Sequence, residues 1–180
     1  SLGFPEAGIG IYPGLGGTQR MTRRVGKGVA RYVMYTGKVL RPEDLVALGM
    51  VDRVVAPEEL DAAVEKAIDS ENSPAMNPKN FPEPWAFVSK FLDAAAIDGL
   101  IDGSLTLPGG AEAVTVAKAV RTRAGNALRE IARLTELATT TELDDGLAAE
   151  TAGLRAIFSH QNALIGMEAL LQGKKPIFIQ

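Results

Sequence analysis

GFPEAGIGIYPGLGGTQRMTRRVGK, residues 3–27, is the most informative segment of the sequence, because it places a glutamate, a glycine-rich turn and a basic helix in immediate succession. Pro5 restricts the backbone next to the Glu6 carboxylate. Gly8 has no side chain, so a ligand can approach its backbone closely. The β-branched piece 9–12 predicts at most a brief strand. The stretch therefore indicates a tight turn beside a pocket.

Outside this stretch, the sequence predicts a chain that is mostly helical. Gly37 is typical of the residue that follows a helix, and Pro42 is typical of a first helical turn. The apolar run 51–55 predicts a strand, but the β content is too small for a self-sufficient sheet. The predicted helices cover about 18–24, 27–35, 42–48, 57–70, 85–96, 97–101, 111–137 (with a weak point at Gly125), 144–159 and 161–172.

The middle of the chain carries a predicted loop and an aromatic cluster. Residues 71–84 contain four prolines and three asparagines, which cannot sustain a helix. The aromatic side chains that follow, Trp85, Phe87 and Phe91, together with Leu92, predict a small packed core of their own. This is the part of the chain where we expect an insertion.

Composition excludes several classes of function. The 180 residues include no cysteine and one histidine, so thiol nucleophiles and zinc–thiolate sites are excluded and no metal site is expected. His160 is predicted to be a helix cap or a surface residue. No stretch has the basic surplus of a nucleic-acid binder. No apolar run approaches the roughly 18 residues of a membrane span, and no secretion signal stands at the start, so we expect a cytoplasmic protein without nucleic-acid or membrane partners.

The opening stretch resembles the crotonase superfamily, the enoyl-CoA hydratase/isomerase family. That family carries a G-x-P-E segment, then I-P-G-x-G-G-T-Q-R, then a basic helix. Tyr12 stands where the family often has isoleucine. The similarity continues through 51–55 and, more loosely, through Glu150, Phe158 and 174–178. The matching residues of the opening motif are Gly3, Pro5, Glu6, Pro13, Gly14, Gly16, Gly17, Thr18, Gln19 and Arg20.

The resemblance implies an α/β crotonase-like (ClpP/crotonase) fold, represented here mainly by its α-helical C-terminal half with little sheet. The β-β-α turns that precede this segment in the family are absent, and with them both halves of the oxyanion hole and the first of two glutamates. The implied organisation is a core part over 1–71, a loop and helical insertion over 72–112, and a helical region over 113–180 that covers coenzyme A and supports oligomerisation.

Glu6 is the candidate catalytic residue that the resemblance implies. Hydration of a 2-enoyl thioester adds water across a double bond conjugated to the carbonyl group, and a proton must reach C2. A carboxyl group within hydrogen-bond reach can deliver that proton or activate the water. The alternative from composition alone is a glutamate in a surface loop near a chain end.

The candidate substrate-binding residues are Pro13 and Gly14, beside the acyl pocket, and Lys174 and Lys175, near the nucleotide part of coenzyme A. The glycine spacing is G-x-G-x-x-x-G, which differs from the dinucleotide fingerprint. No preceding strand supports a dinucleotide site either. No cofactor is expected, because coenzyme A belongs to the substrate.

Basic residues after the glycine-rich turn share a face only if one helix runs through Gly26. This basic face has two interpretations. It is either a solvated stripe or a binding surface, for the phosphates of coenzyme A or for another subunit. The residues concerned are Arg20, Arg24, Lys27 and Arg31.

The function implied by the resemblance is that of an enoyl-CoA hydratase acting on an acyl-CoA substrate. The aromatic insertion resembles the 3-hydroxyisobutyryl-CoA hydrolase branch, which leaves a 3-hydroxyacyl-CoA thioester hydrolase as the alternative. A non-catalytic helical assembly module of a fused fatty-acid oxidation protein is the second alternative. The family implies a homo-oligomer, a trimer or a dimer of trimers, and a fused 3-hydroxyacyl-CoA dehydrogenase module as a partner. This chain alone is expected to be inactive.

Overall fold

The computed structural model describes residues 1–69, 80–106 and 108–179 of the chain. In this part, ten α-helices and two short 3₁₀ turns follow one another, and the 3₁₀ turns cover Glu6–Ile9 and Pro57–Glu59. The helices are α1 Gly17–Val25, α2 Lys27–Thr36, α3 Pro42–Ala47, α4 Leu60–Ile68, α5 Trp85–Ala94, α6 Ile97–Ile101, α7 Ala111–Val120, α8 Gly125–Leu137, α9 Leu143–Ser159 and α10 Gln161–Leu171.

Helix α2 is the centre of the core. Every residue from Gly28 to Tyr35 is buried, and α1, α5, α7 and α8 pack around the helix. Arg31 ties the centre to its neighbours through hydrogen bonds from its guanidinium group to the Leu92 carbonyl (3.1 Å) and the Ala132 carbonyl (3.0 Å). A buried charge is tolerated here because its donors are satisfied.

The helix ends follow local chemistry, as the sequence predicts. Gly37 adopts a left-handed conformation (φ 67°) after α2, where a side chain would be strained. Pro42 opens α3, and Asp44 accepts a hydrogen bond from the Arg41 backbone N–H. His160 is the N-cap of α10, with its Nδ1 accepting from the Asn162 N–H at 3.1 Å. The predicted cap role of His160 is confirmed.

The continuous basic face does not form, because Gly26 (φ 80°, ψ 158°) separates α1 from α2. Arg24 instead pairs with Asp52 at 2.8 Å, and Lys27 pairs with Glu136 at 2.8 Å. These cations anchor α1 and α2 to other parts of the molecule. The interpretation of a shared solvated stripe is wrong.

The strand predicted over 51–55 is also wrong, and the brief strand allowed over 9–12 does not form. Residues 9–12 include the end of the first 3₁₀ turn, and 51–55 form no ladder. In the part of the chain that the structure describes, the β pairing is limited to one antiparallel bridge, Leu2 with Leu40. A strand needs a partner for its backbone N–H and C=O groups, and an apolar β-branched run alone does not supply one.

Two long predicted helices are divided. The helix predicted over 57–70 is a 3₁₀ turn followed by α4, and residue 70 lies outside the described residues. The helix predicted over 111–137 breaks before Gly125, where Ala124 is extended and serves as the N-cap of α8. The predicted weak point at Gly125 is therefore a real helix boundary.

The aromatic residues of the insertion join the main core instead of forming a separate one. Trp85 and Leu92 are buried, and the Trp85 ring meets the Tyr32 ring of α2 edge to face with 5.8 Å between centroids. Phe87 and Phe91 pack against the same core. Residues 71–79 of the predicted loop lie outside the described residues, and the three domain boundaries stay predictions.

Helices α9 and α10 form a hairpin that carries the glycine-rich N-terminal segment. Helix α10 packs on the first 3₁₀ turn, and α9 packs on α1 and α8. Among the described residues, no helix has both the length and the apolar character needed to cross a bilayer.

Candidate functional site

The Glu6 turn is the short 3₁₀ helix Glu6–Ile9, and the residues on either side of it determine where it begins and ends. It follows Pro5, whose carbonyl accepts from the Gly8 N–H at 2.8 Å. It ends at Gly10, which is left-handed (φ 81°). The Ile11 N–H donates to the Glu6 carbonyl at 3.2 Å. The Glu6 backbone is therefore held by its own loop.

The Glu6 carboxyl group is half-buried. Its Oε2 is buried and has no hydrogen-bond partner in the structure. Burial raises the pKa of Glu6 above its ordinary value of 4.5, and a hydrogen bond from its own backbone has a smaller, opposite effect. A carboxyl group that holds its proton more tightly and keeps a free oxygen is suited to proton transfer.

Helix α10 supports the Glu6 turn through contacts that leave no room for a side chain. A Cβ at Gly166 would meet the backbone of Ile9, and a Cβ at Gly10 would meet the carbonyl of Asn162. The turn and the helix approach each other at backbone distance. The position of Glu6 therefore depends on α10 although the two are about 160 residues apart in sequence.

Helix α9 supports the following segment, the glycine loop of residues 12–18. The Tyr12 hydroxyl donates to the Glu150 carbonyl at 2.6 Å. Gly153 leaves room for the Tyr12 ring, and Gly14 faces the Leu154 side chain. Pro13 is buried and Gly14 is half-buried. The two predicted acyl-pocket residues thus lie between the Glu6 turn and α1.

The Glu150 carboxylate lies at the N-terminus of α1. It accepts hydrogen bonds from the Gly16 N–H (2.5 Å), the Thr18 N–H (3.1 Å) and the Thr18 hydroxyl. Its residue is 1% exposed. A helix N-terminus attracts anions, and here a carboxylate of the same chain occupies that position. In this structure the donors of Gly16 and Thr18 at the start of α1 are therefore bonded to a side chain of the same chain.

A groove of about 580 Å³ opens on the other side of the glycine loop. Its walls include the apolar side chains of Phe4, Leu15 and Met50, and the Arg20 and Arg24 side chains lie beside them. Glu6 is not one of the lining residues. The structure thus does not place the Glu6 carboxyl in this groove.

The two predicted coenzyme A lysines are at the far end of α10. Lys174 and Lys175 are exposed, and the Lys174 ammonium group bonds to Gln172 Oε1 at 2.9 Å. This hydrogen bond does not connect either lysine to the Glu6 turn. The structure brings Glu6, Pro13 and Gly14 into one segment and leaves the lysines separate.

Arg123 is a cation beside the Glu6 turn that the sequence analysis did not single out. Its guanidinium group lies near Gly8 and donates to the Thr36 carbonyl at 2.8 Å. Burial lowers the pKa of Arg123 from its ordinary value. No sequence pattern marks this residue, because its neighbours come from distant parts of the chain.

Asn162 and Glu150 are two further residues whose roles the sequence analysis missed. Asn162 is buried and bonds with both the N–H (2.9 Å) and the carbonyl (2.8 Å) of Ile179, which fastens the C-terminal tail. An ionised aspartate at this position would have no N–H with which to donate to that carbonyl.

Residues that could bind a metal ion do not cluster in the described part of the chain. Over residues 1–69, 80–106 and 108–179, no group of three or more His, Asp or Glu side chains has a suitable arrangement.

Comparison with known proteins finds a sequence similarity that is confined to part of this chain. Residues 1–79 match the family described as Enoyl-CoA hydratase/isomerase. Crotonyl-CoA hydratase from Syntrophomonas wolfei is 48% identical over 65 residues, which cover 36% of this chain and 25% of that protein. The fatty acid oxidation complex subunit alpha from Shewanella amazonensis is 49% identical over 69 residues, covering 37% of this chain and 10% of that one. The matches therefore span a quarter or less of the length of these two relatives.

A solved structure shares the fold. A carnitinyl-CoA dehydratase from Mycobacterium thermoresistibile aligns with 96% of this chain and 53% of its own, with a TM-score of 0.68 and 22% sequence identity. The helical part of a crotonase-like fold is thus confirmed. The sequence match to the family stops at residue 79, so the likeness of the later residues is one of fold.

Proposed function

We propose that this chain is part of a crotonase-superfamily acyl-CoA enzyme that adds water reversibly to 2-enoyl-CoA, with Glu6 as general acid and base. The observation that carries the proposal is the half-buried Glu6 carboxyl group, whose Oε2 has no partner and whose pKa is raised by burial. The match to the enoyl-CoA hydratase/isomerase family over residues 1–79 includes the same segment.

The proposed reaction uses Glu6 at both ends of the double bond. The water oxygen bonds to C3, the π electrons move to the thioester oxygen, and the enolate-like carbon C2 then takes a proton. Placed within hydrogen-bond reach of both atoms, Glu6 would accept a proton from the water as the C–O bond forms and deliver a proton to C2, so that the carboxyl group ends in its starting state. Two backbone N–H groups would stabilise the charged oxygen, and removing one such donor typically costs about 10²–10³ in rate. In the crotonase superfamily, which the opening segment resembles, these two N–H donors come from residues that precede the matched segment.

Pro13 and Gly14 would shape the acyl pocket. Both lie on the loop that continues from the Glu6 turn, and Gly14 is held against Leu154 of α9 without space for a Cβ. The atom nearest to that position is the end of the flexible Leu154 side chain, so a larger residue at position 14 would displace this side chain. For Lys174 and Lys175 we propose a contact with the coenzyme A phosphates, which their exposure permits.

The proposed assembly is a homo-oligomer, a trimer or a dimer of trimers, as the family resemblance implies. Apolar side chains exposed on α4 and α10, such as Ile68, Leu164 and Leu171, are consistent with contacts to other parts of an assembly. The match to a fatty acid oxidation complex subunit alpha supports the proposal of a fused dehydrogenase module.

The experiment compares two substrates in the natural gene product that carries this chain. With crotonyl-CoA, the enoyl absorbance should disappear and no free thiol should form. With a 3-hydroxyacyl-CoA, thiol release would instead indicate the thioester hydrolase. A gene product that changes neither substrate contradicts the proposal and favours the non-catalytic assembly module.

The matched control is a second glutamate that is exposed. Glu6→Gln is expected to abolish the absorbance change, whereas Glu65→Gln, an exposed position on α4, should keep it within about twofold. A shared loss in both variants would point to a general effect on the protein and not to the Glu6 carboxyl.

A further inference from the structure

Helix α9 holds the glycine loop at both ends through one residue. The Glu150 backbone carbonyl accepts from the Tyr12 hydroxyl at the start of the loop. The Glu150 carboxylate accepts from Gly16 and Thr18 at its end. The loop between these contacts contains Pro13 and Gly14. Residue 150 therefore fixes the path of this loop from both sides.

The donors at the end of the loop require an acceptor on both terminal atoms of the residue 150 side chain, which a carboxylate provides. Gly16 and Thr18 present two backbone N–H groups and one hydroxyl, and both carboxylate oxygens are used. A glutamine would keep the shape but place an amide N–H₂ against these donors. Hydrogen bonds to a charged acceptor are about twice as strong as neutral ones, so the amide would release the loop.

The Glu6 turn continues directly into the glycine loop. The Ile11 N–H donates to the Glu6 carbonyl, so the residue next to Tyr12 in the chain is bonded to Glu6. Helix α10 packs against the turn at Gly166. Helix α9 holds the end of the glycine loop through Glu150. A movement of the loop would therefore be transmitted to the backbone of Glu6.

We infer that Glu150 is a positioning residue for the hydration reaction: its buried carboxylate holds the glycine loop and thereby sets the position of Glu6 and of the Gly14 wall. This inference rests on the proposed function. It assigns Glu150 no contact with the substrate. It predicts that the negative charge at position 150 is needed for turnover and not only for folding.

The first test follows amide hydrogen exchange in the natural gene product. Glu150→Gln should make exchange at Gly16 and Thr18 at least about tenfold faster, while amides in the core of α8, such as that of Leu134, exchange as in the wild type. Glu168→Gln, an exposed position on α10, is the control and should change none of these rates. Unchanged exchange at Gly16 and Thr18 overturns the inference.

The second test separates positioning from folding through kinetics. Thr18→Val removes the hydroxyl donor to Glu150, and Thr18→Ser keeps it. We expect kcat to fall about tenfold in Thr18→Val and in Glu150→Gln with KM changed less than about threefold, and Thr18→Ser to restore kcat. Faster loop exchange with unchanged kcat overturns the positioning role. A wild-type gene product without hydration activity contradicts the proposed function, and the exchange rates then still decide whether Glu150 holds the loop.

Discussion

The Glu6 carboxyl group destabilises the folded chain at neutral pH. Its pKa is higher in the folded protein than its ordinary value of 4.5, so the folded state binds the proton more tightly than the unfolded state does. The stabilisation from this proton is fully present below pH 4.5 and is lost as the pH rises through the folded-state pKa. A carboxyl group whose charged form costs stability in the folded state is typical of a functional site.

Glu6→Gln should therefore make the protein more stable at neutral pH. The difference in the free energy of unfolding between the variant and the wild type should be larger at about pH 7 than at about pH 4. The reason is that the wild-type carboxyl at position 6 loses its proton between these pH values, whereas the glutamine has no such proton. Urea unfolding at the two pH values measures this difference. Glu65→Gln is the control, expected within about 0.5 kcal/mol of the wild type at both. A Gln variant that is less stable at neutral pH than at acid pH, relative to the wild type, contradicts the burial of Glu6.

At the level of residues, the sequence predicted what lies within one segment. Pro5, Glu6 and Gly14 are found together because they are neighbours in the chain. The Glu150 contact could not be predicted in the same way, since its partners Gly16 and Thr18 are more than 130 residues away. A buried carboxylate at a helix N-terminus is a tertiary contact, and no local pattern encodes it.

At the level of elements, the closest approach in the site is between α10 and the Glu6 turn. A glycine in a helix is normally about 1 kcal/mol less favourable than alanine, so Gly166→Ala would ordinarily stabilise α10. Here the added Cβ would meet the Ile9 backbone. We expect Gly166→Ala to destabilise the chain by about 1–3 kcal/mol, through overpacking.

The control for this prediction is a glycine with open space around it. Gly109 has no atom near its Cβ position and no positive φ, so Gly109→Ala should stay within about 0.5 kcal/mol of the wild type. Denaturant unfolding of both variants is the measurement. Stabilisation by Gly166→Ala would show that the turn does not lie on α10.

Helices were more predictable than strands for a physical reason. The ends of α2 and α3 are set by Gly37 and Pro42, which act within a single turn of helix. The run 51–55 has β-branched residues, but pairing depends on a partner elsewhere in the chain, and the described residues provide none for it. Local signals therefore predicted these helix ends correctly. The strand prediction failed because strand pairing depends on residues elsewhere in the chain.

At the level of the whole molecule, the apolar stripe of α4 faces outward. Leu60, Val64 and Ile68 are exposed, although their spacing is that of a helix that packs on a core. Val64→Ala should change the free energy of unfolding of the 180-residue chain by no more than about 0.5 kcal/mol. Val33→Ala, the same substitution at a fully buried position of α2, should cost about 2 kcal/mol. Equal losses in the two variants would show that the stripe is buried within the chain.

The 180-residue chain by itself is expected not to hydrate crotonyl-CoA. The resemblance places the oxyanion donors and the first glutamate of the family before the segment that matches, and Glu6 alone supplies only the proton transfer. A spectrophotometric assay of this chain checks the expectation. Robust turnover would mean that the described helices supply the missing donors themselves.

The most direct measurement is the kcat for crotonyl-CoA hydration by the natural gene product with Glu6→Gln, compared with the wild type. If the Glu6 carboxyl transfers the proton, kcat falls by about 10²–10⁴-fold while KM changes little, because the amide keeps the shape of the side chain and loses its acid and base function. A kcat within about threefold of the wild type would show that the proton is transferred by another group.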